Sequence, residues 1–72
     1  MSLQKTTKIE IIVDFFDNYN YNEQEIILSP GEKITNVKKF VDVNIRLLLA
    51  NRGKKVYKPY YDRLNKLYNM LQ

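Results

Sequence analysis

Residues 52–63 hold the side chains of this 72-residue chain that are best suited to binding chemistry. Lysine and arginine contact phosphate or carboxylate groups, and tyrosine rings stack on bases. We select six of these residues as a candidate surface for an anion, a nucleic acid or a partner protein: Arg52, Lys54, Lys55, Tyr57, Lys58 and Arg63. We name this set the basic corner. The same composition is typical of an ordinary connection between two helices, so it does not identify a function by itself.

The remaining residues offer little catalytic chemistry. The chain has neither histidine nor cysteine, so the roles of base and nucleophile fall to carboxylates, tyrosines, lysines and hydroxyl groups. Glu10, Asp14 and Asp17 are spaced to share one face of a helix, which is typical of a solvated surface. Glycine occurs only twice, and no phosphate-binding loop is present. We therefore expect no enzyme, no catalytic residue, no metal site, no cofactor and no small-molecule substrate.

Composition indicates one small domain spanning residues 1–72. Hydrophobic residues make up 44% of the chain, which is enough to form a core, although the length is near the lower limit for an unaided core. Charged residues interrupt the apolar run near the N-terminus, and no apolar stretch approaches the roughly 20 residues that cross a bilayer. We expect a cytoplasmic protein without membrane association.

The net charge of +4 conceals an uneven distribution. Residues 1–32 carry two lysines against six carboxylates, and residues 33–72 carry ten basic residues against two carboxylates. Such asymmetry can indicate an external partner of opposite charge. It is also expected if the acidic part folds onto the basic part. The sequence leaves both explanations open.

The first periodic segment predicts a helix over about residues 8–18. Thr7 and Glu10 have the spacing of a capping box, in which Thr7 is the N-cap and Glu10 reaches back to it. Apolar residues follow at helical spacing: Ile9, Ile12, Val13 and Phe16. The β-branched run over residues 9–13 also suits a strand, and the cap and the acidic face favour the helix.

A short extended segment is predicted at about residues 25–28, where a Pro30-Gly31 turn stops it. It either forms a two-stranded ribbon or lies across the helices. A second helix follows over about residues 36–50, with Thr35 or Asn36 as its N-cap. Its apolar arc is wide, so the helix is central or makes contacts on two sides. Asn44 lies within that arc, and we expect its amide to bond to a neighbouring loop.

Gly53 suits the end of the second helix, and Pro59 suits the start of a third, over about residues 59–71. The expected fold class is mainly α, a small three-helix domain with a short extended segment between helices 1 and 2. We predict that six residues are central to the core: Phe40, Val41, Leu48, Tyr60, Leu64 and Leu67. Asp62 can pair with Lys58 or Lys66. Arg63 is expected to stack on a tyrosine or pair with an acid of the first helix.

Three stretches in the second part of the chain form a pattern. They are residues 34–41, which include Phe40-Val41, residues 50–53, Ala-Asn-Arg-Gly, and residues 57–64, Tyr-Lys-Pro-Tyr-Tyr-Asp-Arg-Leu. This pattern resembles a family of small uncharacterised bacterial proteins with a domain of unknown function. The resemblance covers roughly residues 26–72, and residues 1–25 carry no part of the pattern. Because the family has no established activity, the resemblance implies kinship and no function.

Two functions remain after these exclusions. The first is a non-enzymatic protein-interaction or accessory module, whose partner is another protein or a second copy in a homodimer. Self-association is predicted because Val43, Ile45 and Leu49 give helix 2 more apolar surface than one three-helix core needs. The alternative is a nucleic-acid-binding protein that uses the basic corner at residues 52–63.

Overall fold

A computed structural model describes residues 8–22 and 25–72 of the chain. The elements in chain order are α1 (Ile9–Asp17), β1 (Ile26–Ser29), β2 (Glu32–Ile34), α2 (Val37–Ala50), a 3₁₀ turn (Lys55–Tyr57) and α3 (Lys58–Leu71). The expected mainly α architecture with an extended segment between helices 1 and 2 is confirmed.

The extended segment forms a two-stranded antiparallel hairpin. Gly31 adopts a φ of +85°, a conformation that glycine adopts without steric cost, and so allows the chain to reverse. Alternation along β1 buries Ile26 and Leu28 and leaves Ile27 exposed opposite Lys33. The ribbon, one of the two arrangements that the sequence left open, is thus the observed one.

Helix α1 settles the choice between helix and strand at residues 9–13. Its buried face carries Ile12 and Phe16. The predicted capping box is not found, because the N-cap is Lys8, whose side chain makes no capping hydrogen bond, and Thr7 lies outside the described residues. With the helix starting at Ile9, Glu10 occupies the second helical position rather than the third, so it is not placed to reach back to the cap.

Helix α2 has Asn36 as its N-cap, which is one of the two residues predicted for that position. The Asn36 side chain accepts a hydrogen bond from the backbone N–H of Lys39 at 3.0 Å. Asn44 is buried, but the expected bond to a neighbouring loop is wrong. Its Nδ2 donates instead to the carbonyl of Phe40 at 2.8 Å, one turn earlier in the same helix. Asparagine side chains compete in this way for nearby backbone groups.

The core lies between α2 and α3 and is completed by α1 and the hairpin, which contribute Ile12, Phe16, Ile26, Leu28 and Ile34. Four of the predicted core residues are buried: Val41, Leu48, Leu64 and Leu67. Phe40 and Tyr60 are only partly buried and pack against the cluster, so the prediction that they are core residues is wrong, and Tyr61 is buried instead. Both tyrosines lie within one helical turn of Leu64. The burial of Asn65 shifts the centre of the buried stripe toward Tyr61.

An aromatic cluster fixes α1 against the rest of the domain. The rings of Phe15 and Tyr68 meet edge to face with centroids 4.9 Å apart, which joins α1 to α3. After α1 ends, the Tyr21 hydroxyl donates to the carbonyl of Phe16 at 3.1 Å. Burial, together with the negative charges of Asp42 and Asp17, raises the pKa of Tyr21 to about 12. This tyrosine therefore stays a neutral donor over the ordinary pH range.

We predict that Leu64→Ala lowers the free energy of unfolding by about 2–5 kcal/mol, because it removes a large buried side chain and leaves a cavity. Leu64 is 0% exposed. Met70→Ala is the matched control, since Met70 lies on the same helix and is 47% exposed. We expect the control to change stability by less than about 0.5 kcal/mol in urea titration. Equal unfolding midpoints for Leu64→Ala and the parent would show that the core is misassigned.

Candidate interaction surface

The connection between α2 and α3 is held in shape by its own backbone. The N–H of Lys54 donates to the carbonyl of Asn51 at 2.9 Å, and the N–H of Tyr57 donates to that of Lys54 at 3.2 Å. Gly53 has a φ of +87°, as the glycine after a helix often has. The Asn51 side chain satisfies the carbonyl of Leu47 at 2.8 Å. These bonds make successive tight turns, which present the side chains of Lys54 and Lys55 to solvent.

Three members of the basic corner lie beside carboxylates. Arg52 forms an ion pair with Glu10 of α1, and Lys58 Nζ lies 3.6 Å from Asp62 one turn along α3. Arg63 Nε lies 3.6 Å from the carboxylate of Glu32 in β2. One of the two expectations for Arg63 was an ion pair with an acid of the first helix. That expectation is wrong, because the acid beside Arg63 belongs to β2. Helix α3 packs on the hairpin as well as on α1, and Arg63 lies on the side of the hairpin.

The other three members of the basic corner differ from one another in their surroundings. Lys54 and Lys55 are exposed, and neither pairs with a carboxylate within the described residues. Tyr57 is half-buried, and its ring centroid lies 6.0 Å from that of Tyr61. Residues 52–58 thus follow one connection, while Arg63 contacts the hairpin. Sequence reasoning missed Val56, which is 57% exposed next to Lys55; an apolar residue among lysines was its signal.

A groove runs between α1 and the end of α2. It has a volume of about 300 Å³, and we name it the acidic groove. Its lining combines apolar side chains with a charged rim and consists of Ile9, Glu10, Val13, Asp14, Asp17, Leu49 and Arg52. Leu49 is 44% exposed, as its place in the wide apolar arc of helix 2 suggested. Within the described residues, Asp14 and Asp17 have no lysine or arginine partner.

The acidic groove and the basic corner are neighbours, because Arg52 belongs to both. Lys54 follows it by two residues and Val56 by four. Since consecutive Cα atoms are about 3.8 Å apart, Val56 lies within about 15 Å of Arg52. Asp14, Asp17 and an exposed leucine therefore lie next to two lysines and an exposed valine, and none of these four charged groups has an ion-pair partner among the described residues. Such a combination can bind a charged, partly apolar protein segment.

A second groove, of about 380 Å³, lies between β2 and the first half of α2. Its apolar residues include Ile34, Phe40 and Val43, and Lys33 and Lys39 contribute positive charge. Lys33 is paired with Glu25 at 3.0 Å. Unlike the acidic groove, this groove shares no residue with the basic corner. We therefore give it second rank as an interaction surface.

The ion pair between Arg52 and Glu10 changes the pKa of Glu10. The pKa of this carboxyl is lowered from its usual value, first by the hydrogen bond from Arg52, then by a backbone hydrogen bond and by the positive charge of Arg52. Glu10 is consequently held in its charged form. Among the described residues, no three carboxylates are grouped as a metal site would need, and no helix is long and apolar enough to cross a membrane.

Comparison with known proteins identifies a family whose function is unknown. A family model for a domain of unknown function, DUF6965, matches residues 7–72. The match begins well before residue 26, so the likeness includes α1 as well as the part of the chain in which the pattern was found. No curated protein and no solved structure matches the chain.

We predict that Arg52→Gln raises the pKa of Glu10 toward its usual value, measured by carboxyl-carbon NMR during a pH titration. The physical reason is the loss of both the hydrogen bond and the positive charge. Because the folded-state pKa is lowered, the pair stabilises the fold above the ordinary pKa of glutamate. That contribution disappears as the pH falls through the lowered value. Arg63→Gln is the control and should leave Glu10 unchanged; a similar change in both variants would contradict the assigned pair.

Proposed function

We propose that this chain, which belongs to the family of the domain of unknown function DUF6965, is a non-enzymatic protein-interaction module. Its contact surface consists of the acidic groove and the adjoining basic corner. The observation that carries the proposal is the juxtaposition of exposed apolar side chains with opposite charges that form no ion pair among residues 8–22 and 25–72.

Internal pairing uses only part of the uneven charge. Three ion pairs join the basic and acidic parts of the chain within the described residues: Arg52–Glu10, Arg63–Glu32 and Lys33–Glu25. Lys54 and Lys55 remain outside such pairs, as do Asp14 and Asp17. Of the two explanations that the sequence left open, internal folding therefore accounts for some of the charge. A partner that carries both signs would satisfy the rest and orient itself on the surface.

Exposed apolar side chains would lower the free energy of such a contact when a partner covers them. Leu49 is 44% exposed and Val56 57% exposed, and each stands among charged groups. Removing apolar surface from water contributes roughly 25 cal/mol per Å². Protein interfaces commonly combine an apolar centre with a polar rim. The lining of the acidic groove, with Ile9 and Val13 beside Leu49, has this arrangement.

Nucleic-acid binding is the second candidate. It is favoured by Lys54 and Lys55, which are exposed beside a tyrosine and lack a carboxylate partner within the described residues. Against it, Arg52, Lys58 and Arg63 each lie next to a carboxylate that would repel phosphate. Tyr57 is half-buried beside Tyr61, which leaves less of its ring free for stacking on a base. Two lysines provide a small electrostatic contribution compared with typical nucleic-acid interfaces.

Site-specific photo-crosslinking tests the interaction surface. A benzophenone amino acid replaces Leu49 or Val56, and the variant is expressed in the organism from which the protein comes. The same replacement at Ile27 is the control, because Ile27 is 66% exposed on the hairpin. We expect discrete protein adducts from positions 49 and 56 and a much weaker signal from position 27. Mass spectrometry identifies the adduct. Absence of adducts at 49 and 56, or equal labelling at all three positions, would refute the proposed surface.

A salt titration separates the two candidates. We expect no sub-micromolar binding of a short single-stranded or duplex oligonucleotide at physiological salt, measured by fluorescence anisotropy. A nucleic-acid function predicts instead a steep loss of affinity with salt, and the double substitution Lys54→Ala, Lys55→Ala would flatten the slope by about two. The matched control is Lys33→Ala, Lys38→Ala, which removes the same charge from lysines that are paired with Glu25 and Asp42. Tight binding that only the first variant loses would reverse our assignment.

A further inference from the structure

We propose that the partner of this surface is a second copy of the chain, in a dimer with two-fold symmetry. The inference rests on the proposed function and names the occupant of the acidic groove. In the dimer, the segment Lys54-Lys55-Val56 of one copy enters the acidic groove of the other. The same contact is made in the opposite direction, so that both copies use identical surfaces.

The two halves of this contact match in charge. The groove presents Asp14 and Asp17, and the segment presents Lys54 and Lys55. Each of these four side chains is without an opposite charge among the described residues. A domain with a net charge of +4 therefore carries a local acidic surface that suits its own basic segment. Pairing them across a dimer satisfies both sets at once.

The two halves also match in apolar character. Leu49 is exposed in the groove beside Ile9 and Val13, and Val56 is exposed on the segment. Val56 is flanked in sequence by Lys55, so an apolar side chain and a cation project from consecutive positions. The groove, of about 300 Å³, has room for a valine side chain and the apolar stem of a lysine. Each copy would thereby cover the exposed leucine of the other.

The position of the two halves favours a closed dimer. In a two-fold interface, residue i of one copy contacts residue j of the other and j contacts i, so the axis must pass about midway between the groove and the segment. Arg52 lines the groove, and Val56 lies within about 15 Å of it along the chain. A two-fold axis near Arg52 and Glu10 therefore brings each segment to the opposite groove. Small domains near the lower size limit commonly gain stability by oligomerisation.

A charge-swap experiment tests the dimer with full-length protein. Variant one carries Lys54→Glu and Lys55→Glu, and variant two carries Asp14→Lys and Asp17→Lys. Each variant alone places like charges in both contacts, whereas a mixture places opposite charges in both contacts of the mixed dimer. Lysines in the second half of α1 also suit the helix dipole, so variant two should fold.

In sedimentation equilibrium, the parent should show twice the 8.6 kDa mass of the chain. We expect each variant alone to dissociate at least about tenfold more readily, because like charges face each other across the contact. An equimolar mixture should restore association, as should one chain that carries all four substitutions. A monomeric parent, unaffected variants or failure of the mixture overturns the inference. Masses above that of a dimer also overturn it, since they indicate open head-to-tail association.

Cysteine crosslinking supplies a second measurement that does not depend on reversed charges. The chain contains no cysteine, so Leu49→Cys and Val56→Cys can each be made as single variants. When the two are mixed under mild oxidation, the dimer predicts a disulfide between 49 of one copy and 56 of the other in preference to 49–49 or 56–56. A mixture of Leu49→Cys and Ile27→Cys is the control and should give little mixed product.

The two proposals fail in different ways. Photo-adducts at positions 49 and 56 to a different protein, with a monomeric parent in sedimentation, retain the interaction module and reject the second copy as its partner. Adducts of the chain to itself, with charge-swap rescue, support both. Absence of any protein adduct at these positions rejects the interaction surface, and the dimer proposal falls with it.

Discussion

The width of the apolar arc on α3 is the constraint on which the rest of the structure depends. This helix contacts α1, α2, β1 and the 3₁₀ turn, so one element of 14 residues supplies packing surface to most of the domain. Leu64 and Leu67 are fully buried, and Tyr61 and Asn65 widen the buried arc. Within the described residues, Asn65 Oδ1 has no hydrogen-bond partner.

A core organised around one helix leaves the flanks of α2 incompletely covered. Helix α2 buries Val37, Val41 and Leu48 toward the core, while Val43 and Leu49 stay largely exposed on opposite flanks. The hairpin lies along one flank and α1 along the other, and a groove remains at each place. The wide apolar arc seen in the sequence thus has two consequences. One part of it makes α2 central, and the other leaves Val43 and Leu49 exposed to solvent.

The ion pairs of this domain orient side chains more than they contribute to the free energy of unfolding. Exposed ion pairs such as Arg63–Glu32 typically contribute at most about 1 kcal/mol, far less than a buried leucine. These ion pairs mainly orient side chains, because each one holds an arginine toward one side of the domain. Arg52 lies toward α1 and Arg63 toward the hairpin, whereas Lys54 and Lys55 extend into solvent.

The sequence by itself determined the features that depend on neighbouring residues. An N-cap at Thr35 or Asn36, Gly53 after α2 and Pro59 in the first turn of α3 follow from local backbone chemistry, and the leucine stripes follow from the helical period; the structure chose Asn36. These signals predicted α2 and α3, whereas the helix at α1 competed with a strand until the structure decided it. They also placed the basic corner at the junction of α2 and α3.

Tertiary structure decided every feature that joins distant residues. Glu10 and Arg52 are 42 positions apart, and no local rule predicts that they meet. The choice of Tyr61 over Tyr60 depends on which neighbours surround α3, since both positions satisfy the helical period. The acidic groove exists only because α1 packs beside the end of α2. The physical reason is that periodicity defines the faces of each helix, whereas the partner of each face is set by how all elements share one small core.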